Sequence, residues 1–227
     1  MRDFYRAAAL GLSYSAYSQP LVFAIFTMSR LSDAPIFRCP RCPNPRPVYN
    51  LSMPIPFAEY ASRVQEHLER DWGIPVVTRD IPDPLTGDLD GAEIDVDYAI
   101  TPELRLFLLG HLFGHTVQWN VNESAFDLGR QYKPPVDEKL FPEVLAYEGE
   151  AARYGLQLLH QIGITDVDQW FSNYTAADQA YLLHFYRTGD KDEFKNFWRE
   201  GAPLIEPKPI PEFKPKKRVF RMDGVVI

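Results

Sequence analysis

Two of the chain's five histidines stand four residues apart in Leu108-Leu109-Gly110-His111-Leu112-Phe113-Gly114-His115-Thr116, an otherwise apolar stretch. This stretch constrains the fold more than any other. Thr101-Pro102-Glu103 opens it as a helix: a threonine N-cap, a proline in the first turn and an acid near the positive end of the dipole. From Pro102 to about Trp119 the helix is apolar nearly all round, so it belongs in the centre of a folded unit. Leu104, Phe107, Leu108, His111 and His115 share one face, because positions i and i+4 lie one above the other.

Two imidazoles so placed can bind one metal ion, and the spacing is that of the zinc-peptidase motif H-E-x-x-H. The general-base glutamate of that motif would follow the first histidine. Leu112 occupies the position instead. A second helix is expected from about Pro142 to Gln161, ending at Gly163, with Val144, Leu145, Ala151, Ala152, Gly155, Leu158 and Leu159 on its apolar face. Glu148 falls in the middle of that face, whereas Glu150 projects nearly opposite. A carboxylate centred on a buried face is costly unless it is paired or binds metal. It is the natural third ligand for the histidine pair.

Elsewhere the pattern reads as follows. Residues 1–52 form an irregular, proline-rich leader. Its single C-x-x-C, Cys39 and Cys42, is half of a structural zinc site at best. With only these two cysteines, a disulfide framework is not the source of stability, and the expected setting is cytoplasmic. Arg2 and Arg6 precede a short apolar run, but polar residues from Ser13 onward break it, so no secretory signal is expected. No stretch reaches the length of a membrane span.

Pro56 to Trp72 has amphipathic helical spacing and stops at Gly73, and Ile74–Val77 is a short strand. Asp80 to Gly91 is a polar turn region. Ala92 to Ile100 alternates as a half-buried strand, with Glu93, Asp95 and Asp97 on a solvated face. Asn120 to Pro142 reads as a long loop. Three short helices are expected at Asp166–Phe171, Thr175–Arg187 and Lys191–Trp198, with Thr175 as an N-cap. His67, His160 and His184 read as packed or surface residues, and 201–227 as an extended Pro/Lys-rich arm. The domain plan is thus leader 1–52, core 53–165, helical subregion 166–200 and tail 201–227. A formal charge of −7 argues against nucleic acid as a partner.

In order, the helix, strand, turn, strand, Pro102-Glu103-Leu104-Arg105-Leu106-Phe107-Leu108-Leu109-Gly110-His111, His115 and Glu148-Gly149-Glu150-Ala151-Ala152-Arg153-Tyr154-Gly155-Leu156-Gln157-Leu158-Leu159 resemble the ImmA/IrrE family of zinc-metallopeptidase-like proteins. The likeness covers roughly residues 55–165. It implies an α+β, zincin-like core with a short sheet packed on central helices, followed by a helical subregion. It also implies Zn2+ held by His111, His115 and Glu148. Phe107 and Gly114 match the family pattern, Arg105 lies one place off, and Gly110 replaces an alanine. Leu112 replaces the catalytic glutamate, so ordinary peptidase activity is not expected. Glu123, Asp127 and Glu143 are the candidate substitutes for that base. The alternative is a non-enzymatic module that binds a peptide or protein, with a structural His/Glu cluster. A redox metal such as iron is a third possibility.

Overall fold

The computed structural model describes residues 54–81, 85–131 and 135–218. The leader with Cys39 and Cys42, and the last nine residues of the tail, lie outside the described residues. Residues 52–227 cluster as one unit, and its described elements mix helix and strand in an α+β arrangement.

Helix α1 (Phe57–His67) continues through a π-helical turn, Leu68–Trp72, and stops at Gly73, whose φ of +64° is the left-handed conformation glycine adopts freely. Its Ala61, Val64 and Leu68 are buried at the spacing the sequence predicts. Strands β1 (Val76–Arg79), β2 (Gly87–Leu89) and β3 (Ile94–Asp97) form one sheet in the order β1-β3-β2. β1 is parallel to β3, with Val76 opposite Ile94. β2 is antiparallel to β3, with Gly87 opposite Val96.

The polar region Asp80–Gly91 therefore contains a strand the sequence did not signal. Gly-Asp-Leu is too short and too polar to show alternation, and its pairing rests on the backbone. The acidic face of β3 also needs correcting. Asp95 and Asp97 are only 6% and 8% exposed. Each has its own donors: Arg79 Nε donates to Asp95 at 2.8 Å, and the backbone amides of Ile81 and Ala99 donate to Asp97 at 2.8 and 2.7 Å.

Helix α2 (Pro102–Val121) is the axis of the unit, with every residue from Leu106 to Trp119 buried. Its cap is as expected, since the Leu104 amide donates to Thr101 Oγ1 at 3.2 Å. The sheet and α1 lie against it. Helix α3 (Glu123–Gln131) occupies what reads in sequence as loop. Asn122 starts it, accepting from the Ser124 amide at 3.0 Å.

Helix α4 (Phe141–Gln161) follows a 3-10 turn at Glu138–Leu140. Helix α5 (Asp168–Thr188) is one continuous rod where two short helices were expected, and a 3-10 turn at Phe194–Asn196 replaces the third. Thr175 is not a cap: its hydroxyl donates to the Phe171 carbonyl at 2.8 Å, as Ser172 does to Asp168 at 2.7 Å. Satisfying hydroxyls on the preceding turn lets polar residues pass through a helix without ending it.

Residues 201–218 run as an extended arm over the unit. The Lys208 amide donates to the Arg153 carbonyl at 3.0 Å, Phe213 stacks on Trp72 at 5.3 Å between centroids, and Arg218 pairs with Glu123 at 2.8 Å. Among the described residues, no helix is long and apolar enough to cross a membrane.

Candidate metal centre

The centre is made by the crossing of α2 and α4, and glycine sets how close they come. A Cβ on Gly114 would stand 2.0 Å from the Ala151 carbonyl oxygen, and one on Gly155 would stand 2.5 Å from that of Gly110. Both are far inside van der Waals contact, so the two backbones meet through these residues. This approach draws Glu148 up to the histidines of the facing helix.

His115 Nε2 lies 3.1 Å from His111 Nε2 and 3.1 Å from Glu148 Oε2, and His111 Nε2 lies 3.3 Å from that same oxygen. For metal–ligand bonds of about 2.0–2.1 Å, neighbouring vertices of a tetrahedron are ~3.3 Å apart. The three atoms therefore match one triangular face of a tetrahedral site. All three residues are buried, and together they can hold a metal ion. Burial alone would raise the Glu148 pKa. The charges of His115 and His111 and their hydrogen bonds outweigh it and hold the carboxyl far below its usual range.

The surroundings orient the ligands. Gln118 Oε1 is 2.9 Å from His115 Nδ1, and the Gln118 amide donates to the Tyr147 carbonyl and to Glu150, each at 2.9 Å. The Tyr147 ring lies 4.6 Å from that of His115, and its hydroxyl accepts from Trp119 Nε1 at 2.8 Å. On the other side Phe107 stacks on His111 at 5.4 Å. His111 Nδ1 is buried and has no partner. Such an orphan is uncommon in a packed interior, and it marks a site whose polar groups are not all engaged by one another.

Leu112 is fully buried and turns to the sheet, where its Cδ1 would stand 3.0 Å from a Cβ on Gly87. It fills the space between α2 and β2. Glu123, Asp127 and Glu143 are all solvent-exposed. Glu123 begins α3 and is taken by Arg218, and Glu143 lines a groove of about 700 Å³ together with Tyr147, Glu150 and Arg153. Tyr147 thus separates this groove from His115. The remaining histidines are elsewhere: His67 Nδ1 is 2.6 Å from Asp71, His160 Nε2 is 2.8 Å from Asp168, and His184 packs on Phe197.

Sequence reasoning missed three neighbours of the centre: Gln118, Tyr147 and Asp178. Asp178 lies on α5 and is 2% exposed. It carries the same signal that singled out Glu148, a carboxylate on an apolar helix face between Tyr174 and Tyr181. Dividing α5 at Thr175 hid that signal. Compared with known proteins, the chain matches no family model, and no curated protein or solved structure is significantly similar to it.

Proposed function

We propose that this chain is a zinc-binding, metallopeptidase-like protein that lacks the proton-transferring carboxylate of the H-E-x-x-H arrangement. The observation that carries the reading is the converging triangle of His111, His115 and Glu148, with sides of 3.1, 3.1 and 3.3 Å. Two imidazoles and one carboxylate suit zinc and leave a fourth vertex open. Zinc, when bound, supplies Lewis acidity at that vertex. The chain's own residues fix it there: Gln118 holds His115 from behind, and the Gly114–Ala151 contact holds Glu148 against both rings.

With Leu112 at the base position, general-base assistance worth about 10²–10⁴ in rate is missing. A second reading, a non-enzymatic module that binds a peptide or protein, draws on a separate observation. Leu112 packs into the sheet as a core residue, the three ligand side chains are buried, and Tyr147 covers His115.

Metal analysis of the purified protein tests the first step, with one zinc per chain expected and loss of it in His111→Ala. A native protein that retains no transition metal after exposure to zinc contradicts the reading. The two functional readings part at Leu112→Glu, assayed on an unstructured peptide after folding and metal content are verified. A gain in hydrolysis favours the enzyme, and an unchanged rate favours the binding module.

A further inference from the structure

The two histidines of the centre are treated unequally, and the inequality points to α5. His115 has an outer partner, Gln118, at Nδ1. His111 has none at its own Nδ1. Without a cation the His111 proton can sit on Nε2 beside Glu148 and leave Nδ1 as a bare lone pair. Once Nε2 serves as a ligand, the proton must move to Nδ1. A buried N–H without an acceptor then costs about 1–3 kcal/mol. Metal-ligating histidines nearly always hand that N–H to a carboxylate, a carbonyl or water.

The charge count makes the same demand. A divalent cation, two neutral imidazoles and the single negative charge of Glu148 leave one uncompensated positive charge in a buried place, which is unfavourable without a counter-charge. A second buried carboxylate would neutralise it.

Asp178 is the buried carboxylate on the part of α5 that packs against the turns of His111 and Glu148. Tyr174, one turn before it on α5, stacks on Phe107 at 4.1 Å, and Phe107 is one turn before His111 on α2. The next residue, Gln179, brings its amide to 3.4 Å from a Cβ on Gly149, the residue after Glu148. The Asp178 turn of α5 therefore abuts the turns carrying His111 and Glu148. Its side chain is buried, with only 2% of its surface exposed.

We propose that Asp178 is the outer partner of His111 and the counter-charge of the centre, accepting the Nδ1–H once Nε2 binds a metal ion. It is a positioning residue rather than a ligand. The inference rests on the metal-binding reading above, and its test keeps the two apart.

Zinc affinity is measured by competition with a chromogenic chelator for the native protein and for Asp178→Asn, whose amide mimics the protonated acid. The variant is expected to bind about 10–100-fold more weakly, the usual loss when an outer partner is removed. Equal affinity in the two proteins overturns the proposal, whereas a native protein that binds no zinc overturns the metal reading itself. The native protein also gives an answer without a variant. In its zinc-loaded form, proton–nitrogen correlation of the imidazoles should show the His111 proton on Nδ1 as a slowly exchanging, downfield resonance. A rapidly exchanging or absent Nδ1–H contradicts the assignment.

Discussion

In the sheet, Asp88, Asp90, Asp95 and Asp97 are buried and met by donors. Asp90 takes the amides of Ala92 and Glu93, each at 2.9 Å, and Lys217 at 2.7 Å. Asp97 takes two further amides, Asp88 takes the Leu89 amide at 2.8 Å, and Asp95 takes Arg79. The α2–α4 crossing also buries ionisable groups, but there His111, His115 and Glu148 face one another through atoms that all favour a cation between them. One nitrogen is left with no partner, and Asp178 lies close by. Acids whose partners are supplied by the chain hold loops and strands in register. The cluster at the crossing is instead one that could hold a metal ion.

The comparison can be broken most forcefully at the crossing itself. Gly114→Ala places a Cβ 2.0 Å from the Ala151 carbonyl oxygen, so α2 and α4 must part. A loss on the order of 3 kcal/mol or more is expected in denaturant unfolding, together with the loss of metal binding. An intact variant with native zinc affinity would mean that the close approach does not shape the site.

The second test is pH, read by thermal unfolding of the metal-free protein. Glu148 is held below its ordinary range, so its contribution is present above that range and is lost as pH falls toward the depressed value. Asp178 is raised to about 7, so its contribution is present at low pH and is lost as pH rises from about 4 toward 7. Stability should therefore decline on both sides, with at most ~1.4 kcal/mol per pH unit from either group. Glu148→Gln should flatten the acid limb and Asp178→Asn the limb leading to about 7. Unchanged slopes would contradict the contrast drawn with the sheet.

Smaller effects belong to the satisfied cluster. Asp97→Ala strips acceptors from the amides of Ile81 and Ala99 and should cost about 1–2 kcal/mol. Its metal-binding isotherm should remain native, and a shift in zinc affinity would show that the two regions are coupled. Smallest is Gly149→Ala, in α4 beside Glu148. The nearest atom to its added Cβ is the Gln179 amide nitrogen at 3.4 Å. Replacing a mid-helix glycine without a clash should stabilise α4 by about 0.5–1 kcal/mol, visible as a small rise in melting temperature.

Much of this was legible in the residues, and for identifiable reasons. Helical phase alone put Glu148 on the buried face and Glu150 off it. Glu150 is half-buried at the edge of that face, where it meets Lys208 and the buried Gln118 of α2. The Thr101 cap and the glycines after α1 and α4 mark their elements because each satisfies a local backbone demand. What could not be read depends on distant partners. The carboxylates of β3 look solvated until Arg79, Ile81 and Ala99 fold around them. Helix α3 is amphipathic but only nine residues long, and it sits in a polar, proline-flanked stretch that reads as loop. Thr175 looks like a cap because nothing local reveals that its hydroxyl will bond the preceding turn. Nor does the sequence announce that Leu112 will turn to Gly87, a contact between residues 25 apart in the chain.

The central claim is that the α2–α4 crossing is built around a metal ion. Calorimetric titration of the metal-free protein with zinc tests it most directly, alongside His111→Ala. One ion per chain is predicted for the native protein and none at this site for the variant. At a hundredfold excess over Kd, binding should also add ~2.7 kcal/mol of stability. A native protein with no binding heat and no zinc-dependent rise in unfolding temperature would contradict the account.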